Sequence, residues 1–192
     1  MNWIVGLGNP GARYSKTRHN VGFRVVQLLS RRWSIAVEKN LCRSKVGEGH
    51  IQRAPVGLCL PQTMMNSSGE AVVCLLKRRD LEPTQLLLVC DDVSLPLGVI
   101  RLRSGGSAGG HHGLESVIEL TGTEEIPRLR VGIRTEAPGA DLVDFVLGNF
   151  RPGEKKLLEE SLTSAADACD VWLKQGIHHA MNQFNRRVEC RT

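Results

Sequence analysis

Apolar positions along the chain follow two rhythms, and the switches between them mark the elements. Short apolar or alternating runs predict strands at Trp3–Val5 (with Leu7 beyond), Lys45–Gln52, Val56–Leu60, Leu86–Cys90, Val99–Arg103 and Arg128–Ile133. An approximate helical stripe predicts a helix from about Val21 to Trp33, with Asn20 in the capping position. Ser67 and Glu70 have capping-box spacing and predict a helix running to about Arg79. Further helices are predicted over Leu114–Leu120, near Pro152–Gln175 and near His178–Val188. Strands alternate with helices throughout, with no internal repeat and no low-complexity linker. The pattern implies a single α/β domain over residues 1–192, a length that can bury a substantial core.

Composition adds a direction to this picture. A hydrophobic content of 41% and a charged content of 23% are ordinary for a globular chain. The net charge of +5 suggests an anionic partner, and its distribution says more than its size. No acidic residue precedes Glu38, whereas Arg13, Lys16, Arg18, Arg24, Arg31 and Arg32 do, so a positive field is expected around the first loop. The six cysteines, Cys42, Cys59, Cys74, Cys90, Cys169 and Cys190, show no metal spacing and are expected to be buried reduced thiols. No signal peptide and no membrane-spanning run are visible, so a cytoplasmic location is expected, or an organellar one if a leader has been removed.

Chemistry concentrates in the stretch that follows the first strand. Gly6-Leu-Gly8-Asn-Pro-Gly11 formally matches a dinucleotide fingerprint, but no helical stripe begins inside it. The acidic residue expected about 20 positions later for a ribose hydroxyl is missing too, so nucleotide binding is set aside. The glycine-rich run Ser104–Gly113 lacks the Gly-Lys-Ser/Thr ending of a phosphate loop. His19 is the candidate general base, and Asp91, where the Leu86–Cys90 strand ends, is its candidate orienting carboxylate. Asp92 should point elsewhere, into solvent. His111-His112 and His178-His179 are adjacent pairs and poor chelators, so no metal is expected. Asn9, Asn66 and the 111–113 segment are candidate neutral hydrogen-bonding groups. Arg101, Arg103, Arg128 and Arg130 are candidates for a phosphate-binding face.

Taken together, the motifs resemble the bacterial-type peptidyl-tRNA hydrolase family over nearly the whole chain. The matching segments are Val5-Gly-Leu-Gly-Asn-Pro-Gly11, Thr17-Arg-His-Asn-Val-Gly22, Met65-Asn-Ser-Ser-Gly69, Asp91-Asp-Val-Ser-Leu-Pro96 with Gly98, Gly109-Gly-His-His-Gly113, Arg128-Leu-Arg-Val-Gly-Ile133, Phe145-Val-Leu-Gly148 and Ala180-Met-Asn182. The resemblance implies a mixed β-sheet sandwiched between α-helices. It further implies a monomer without metal or cofactor, whose substrate is peptidyl-tRNA and which needs no obligate protein partner. By position, it implies that His19 is the catalytic base and Asp91 its orienting carboxylate. It likewise places Asn9, Tyr14 and Asn66 at the substrate and Arg101, Arg103 and Arg130 at tRNA phosphates. His112 stands where the family carries a substrate- and water-binding asparagine, and Arg134 where it commonly has glycine. An imidazole donates or accepts one hydrogen bond but cannot do both as a carboxamide does. Two other readings remain: a non-catalytic RNA-binding member of the same fold, and a basic α/β enzyme of small esters.

Overall fold

The computed structural model describes residues 1–135 and 142–185. Twelve helices and strands follow one another as β1 (Asn2–Gly6), α1 (Val21–Trp33), β2 (Lys39–Leu41), β3 (Ser44–Ile51), β4 (Ala54–Pro61), α2 (Ser68–Arg79), β5 (Leu86–Pro96), β6 (Ile100–Arg103), α3 (His112–Thr121), β7 (Arg128–Arg134), α4 (Leu142–Leu147) and α5 (Lys155–Phe184). The strands form one sheet in the order β2-β3-β4-β1-β5-β7-β6. Its centre, β4-β1-β5-β7, is parallel, while β2, β3 and β6 join antiparallel at the margins. This is the expected mixed α/β sheet between helices.

The two-residue period of the strands divides the core into two layers. Ile4, Leu87, Val89, Leu129 and Val131 face α1 and α5. Trp3, Val5, Leu86, Leu88 and Cys90 face α2 and α3. Because β1 and β5 are buried on both faces, they read as continuous apolar runs rather than alternating ones. β5 nevertheless runs six residues beyond Cys90, to Pro96, because β7 keeps pairing with it (Asp91 opposite Val131, Asp92 opposite Gly132). Asp91 and Asp92 therefore lie inside the strand, both buried, rather than after it.

Several local expectations are corrected. Ser67 makes no capping bond, and Glu70 instead pairs with Arg43 of the β2–β3 turn. Asn20 does not cap α1; its carboxamide closes on the backbone of Asn9. The short β2 and α4 escaped the sequence reading, β2 because it is three largely exposed residues and α4 because its largely apolar run is only six residues long. The expected division of the C-terminal segment into two helices holds, since Gly176 (φ +81°) breaks α5 between them; residues 186–188 of the second lie outside the described residues. Asn185, just past α5, clamps the sheet margin: its Oδ1 accepts from Leu102 N (2.8 Å) and its Nδ2 donates to Leu102 O (2.9 Å).

The cysteines divide into two groups. Cys42 and Cys74 form a disulfide between the β2–β3 turn and α2, correcting the reduced reading for this pair. Cys59, Cys90 and Cys169 are buried free thiols. Burial pushes Cys59 up to about 12 and raises the other two as well. Cys190 lies outside the described residues.

Candidate active site

His19 reaches the sheet because Gly6 and Gly22 let backbone meet backbone; a Cβ on Gly6 would stand 2.5 Å from Gly22 O. A Cβ on Gly22, in the first turn of α1, would stand 2.3 Å from Val89 O and 2.6 Å from Leu7 O. Only a residue without one allows α1 to start directly against the end of β1 and the backbone of β5 at Val89. The 3₁₀ turn Arg18–Asn20 immediately before it is thereby buried beside Asp91. Two side chains, Asn20 and Arg18, tether this turn. Asn20 Oδ1 accepts from Asn9 N (2.9 Å), and Asn20 Nδ2 donates to Asn9 O (2.8 Å). Arg18 donates to Asn149 O (2.8 Å), pairs with Glu154 (2.9 Å) and stacks on Phe145 (4.5 Å). Arg18 is thus buried and neutralised, a structural anchor rather than part of an open positive field.

The centre of the site is a carboxylate shared by two imidazoles. His19 Nδ1 lies 2.7 Å from Asp91 Oδ1, and His111 Nε2 lies 3.0 Å from the same oxygen. The two rings stand 5.0 Å apart, tilted by 46°. His111 Nδ1 accepts from the backbone N–H groups of Gly113 (3.1 Å) and Leu114 (3.2 Å), capping α3. An imidazole nitrogen that accepts carries no proton, so the proton of His111 sits on Nε2 and is donated to Asp91. With a carboxylate facing it, His19 Nδ1 is likewise the donor, which leaves Nε2 as its basic nitrogen. Burial alone would raise the Asp91 carboxyl, but the electrostatic attraction and hydrogen bonds of the His111 and His19 N–H groups outweigh it and hold the group well below the usual carboxylate range.

One donor of each of His19, Asp91 and His111 lies within 4.8 Å of the others, the spacing of a metal cluster. Here both facing nitrogens already donate to one oxygen, so a cation would first have to displace both protons. The donor set is built as a hydrogen-bonded triad.

His19, Asp91, Asp92, His111, His112 and Arg130 line one cleft, with Val93, Leu114 and α4 as its apolar walls. His112 sits at its rim, exposed, with Nδ1 3.2 Å from Glu115. Asn9 lines a neighbouring cleft with Asn20, Phe23 and Gln62, while its Oδ1 accepts from Met65 N (2.7 Å). Among the described residues, Tyr14 and Asn66 line neither cleft: Tyr14 stacks under Arg13 at 5.6 Å, and Asn66 is exposed on the 3₁₀ turn after Met65. His111 lay within the candidate 111–113 segment, but its pairing with Asp91 went unread, although its place before a helix start was a visible capping signal.

The four arginines of the expected basic face separate. Arg101 and Arg103 lie on the outward face of β6, half-buried and exposed. Arg128 is buried and donates to the carbonyls of Ile126, Ser107 and Glu124, so it is withdrawn from any phosphate-binding role. Arg130 lies 2.7 Å from Asp92. Asp92 is therefore buried and paired, where a solvated carboxylate was expected.

The sequence model of the family Peptidyl-tRNA hydrolase matches residues 3–191. The chain belongs to this family. A peptidyl-tRNA hydrolase of Brevibacillus brevis is 45% identical over 185 residues, covering 96% of this chain and 98% of its own. One from Roseiflexus is 48% identical over 183 residues, covering 95% and 84%. Among solved structures, the peptidyl-tRNA hydrolase of Acinetobacter baumannii superposes with a TM-score of 0.90 at 35% identity, covering 97% of this chain and 95% of its own. The chain is accordingly an enzyme of this hydrolase family. No helix of the described residues is long and apolar enough to cross a membrane.

Proposed function

We propose that the enzyme hydrolyses the ester joining a peptide to the 3′ ribose of tRNA, with His19 as general base. The observation that carries this reading is the buried 2.7 Å contact between His19 Nδ1 and an Asp91 held ionised. His19 Nε2 takes a proton from water as the water oxygen attacks the ester carbonyl. Asp91 stabilises the imidazolium that forms, and that imidazolium returns the proton to the departing ribose oxygen. An ester has a good leaving group, so base and hydrogen-bond donors suffice without a covalent intermediate or cofactor. Asn9 Oδ1 is occupied by Met65, which leaves its Nδ2 as the donor for the substrate. Asn66, on the same 3₁₀ turn as Met65, acts with it on the developing oxyanion. The family resemblance adds the rim residue His112 and Tyr14, whose ring lies outside both clefts beside Arg13, as further substrate contacts. Arg101, Arg103 and Arg130 meet tRNA phosphates, which makes affinity fall as salt rises. The chain acts as a monomer, in the cytoplasm.

Release of the blocked amino acid from an N-blocked aminoacyl-tRNA tests this reading. His19→Ala is expected to lower kcat/KM about a thousandfold. A rate unchanged in that variant would overturn the assignment, and tRNA binding with no turnover in the wild type would point to an RNA-binding member instead.

A further inference from the structure

The turn that carries Asn66 is held by a helix to which it does not belong. Ser67, in the capping position of α2, makes no side-chain bond to that helix. The cap comes from α3 instead: Ser116 Oγ accepts from Gly69 N at 3.0 Å, both residues buried. A Cβ on Gly69 would stand 2.1 Å from Ser116 O, so the two helices meet backbone to backbone here. At the other end of the same turn Met65 N donates to Asn9 Oδ1 (2.7 Å). These contacts close a ring around the cleft. It runs from Asp91 to His111, along α3 to Ser116, across to Gly69, and back through the Met65–Ser67 turn to Asn9. Asn20 then joins Asn9 to the turn of His19, which meets Asp91 again. The base stands on one side of this ring and Asn66 on the other.

We propose that Ser116 is a positioning residue for the hydrolysis. Its hydroxyl fixes the Met65–Ser67 turn against α3, and so holds Asn66 in register with the His19–Asp91 pair. This inference rests on the hydrolase reading above. A buried N–H without a partner is costly, so without the hydroxyl the first turn of α2 would shift or unwind to find one. Asn9 is fixed independently by Asn20, so the displacement falls on Asn66. A donor to an oxyanion acts only at hydrogen-bond distance from the developing charge. A small shift of the turn is therefore felt in the transition state more than in binding.

Serine variants and a double-variant cycle test this on N-blocked aminoacyl-tRNA, each assayed well below its melting temperature. Ser116→Ala should lower kcat by about tenfold, the size of one lost buried hydrogen bond, with KM within about twofold. Ser116→Thr keeps the hydroxyl and should recover most of that loss. Ser30→Ala removes a comparable bond, from Ser30 Oγ to Ile35 O (2.7 Å), at the C-terminal end of α1, and should lower stability with kcat unchanged. The deciding measurement is the cycle. On an Asn66→Ala background Ser116→Ala should cost less than about twofold, because the donor it positions is gone, whereas on a Ser30→Ala background the full loss should persist. An unchanged kcat in Ser116→Ala overturns the inference. So does a full further loss on the Asn66→Ala background, which is the signature of a merely structural role. With wild-type turnover in the same preparation, either result leaves the hydrolase reading standing. Absence of wild-type turnover overturns that reading, and the inference with it.

Discussion

Two loops deliver a histidine to the same oxygen of Asp91, and they are built in opposite ways. The loop of His19 is buried and cross-tied: Asn20 closes on the backbone of Asn9, and Arg18 is locked to Asn149 and Glu154. The loop of His111 is rich in glycine, with Gly106, Gly109 and Gly110 all at positive φ and open space where their side chains would be. Its histidine is fixed instead by the first two N–H groups it caps on α3. The contrast separates two tasks. A base must be held in one orientation and one tautomer, so the protein surrounds it with hydrogen bonds that leave no alternative. A rim that admits a bulky substrate can keep a mobile backbone as long as its one inward side chain is pinned.

The comparison fails first at the shared oxygen. Asp91→Asn should cost about a thousandfold in kcat, because a carboxamide oxygen without charge stabilises no imidazolium on His19. The same variant should alter acid stability. The folded Asp91 value is depressed, so its stabilisation is complete above the unfolded carboxyl value of about 3.9 and disappears as pH falls below it. Melting curves between about pH 6 and 2 should therefore fall less steeply for Asp91→Asn than for the wild type. A tether on the rigid side comes next. Asn20→Ala leaves Asn9 N and O unpaired in a buried place, which should lower stability by about 1–3 kcal/mol and shift kcat more than KM. Equal stability of wild type and Asn20→Ala in urea would remove the claim that this loop is locked. On the adaptable side the expected effect is smallest. His112→Asn changes an exposed side chain whose one described partner is the exposed Glu115, so kcat/KM should move by less than about tenfold. A larger change would show that the rim is as constrained as the base.

The strands were legible because the sheet buries them on both faces: Trp3, Ile4 and Val5 are apolar without interruption, and β5 from Leu86 to Cys90 likewise. His19 and Asp91 were legible as a pair because one follows the loop after β1 and the other follows the apolar run Leu86–Cys90, even though β5 itself continues to Pro96. What stayed hidden depends on partners distant in the chain. The two adjacent histidines cannot be told apart by type; the turn of α3 sends His111 inward to Asp91 and His112 outward to Glu115. Arg128 and Arg130 alternate like Arg101 and Arg103, yet the carbonyls of Ser107, Glu124 and Ile126 draw the first into the core. Asp92 read as solvated because its cation lies 38 residues further on, across a strand pairing. β2 and α4 are too short to show a period: Lys39 and Asn40 are polar and exposed, and α4 is a single, largely apolar run of six residues from Leu142 to Leu147.

One small feature of the sheet margin has a wider effect. A final strand presents N–H and C=O groups that any extended peptide can adopt as a template. On β6, Asn185 already satisfies both groups of Leu102 with one carboxamide, an imitation of a neighbouring strand one residue long. Strand addition at this margin would first have to expel that side chain. The arginine-bearing strand therefore keeps its side chains available to a polyanion while its backbone is closed to self-association.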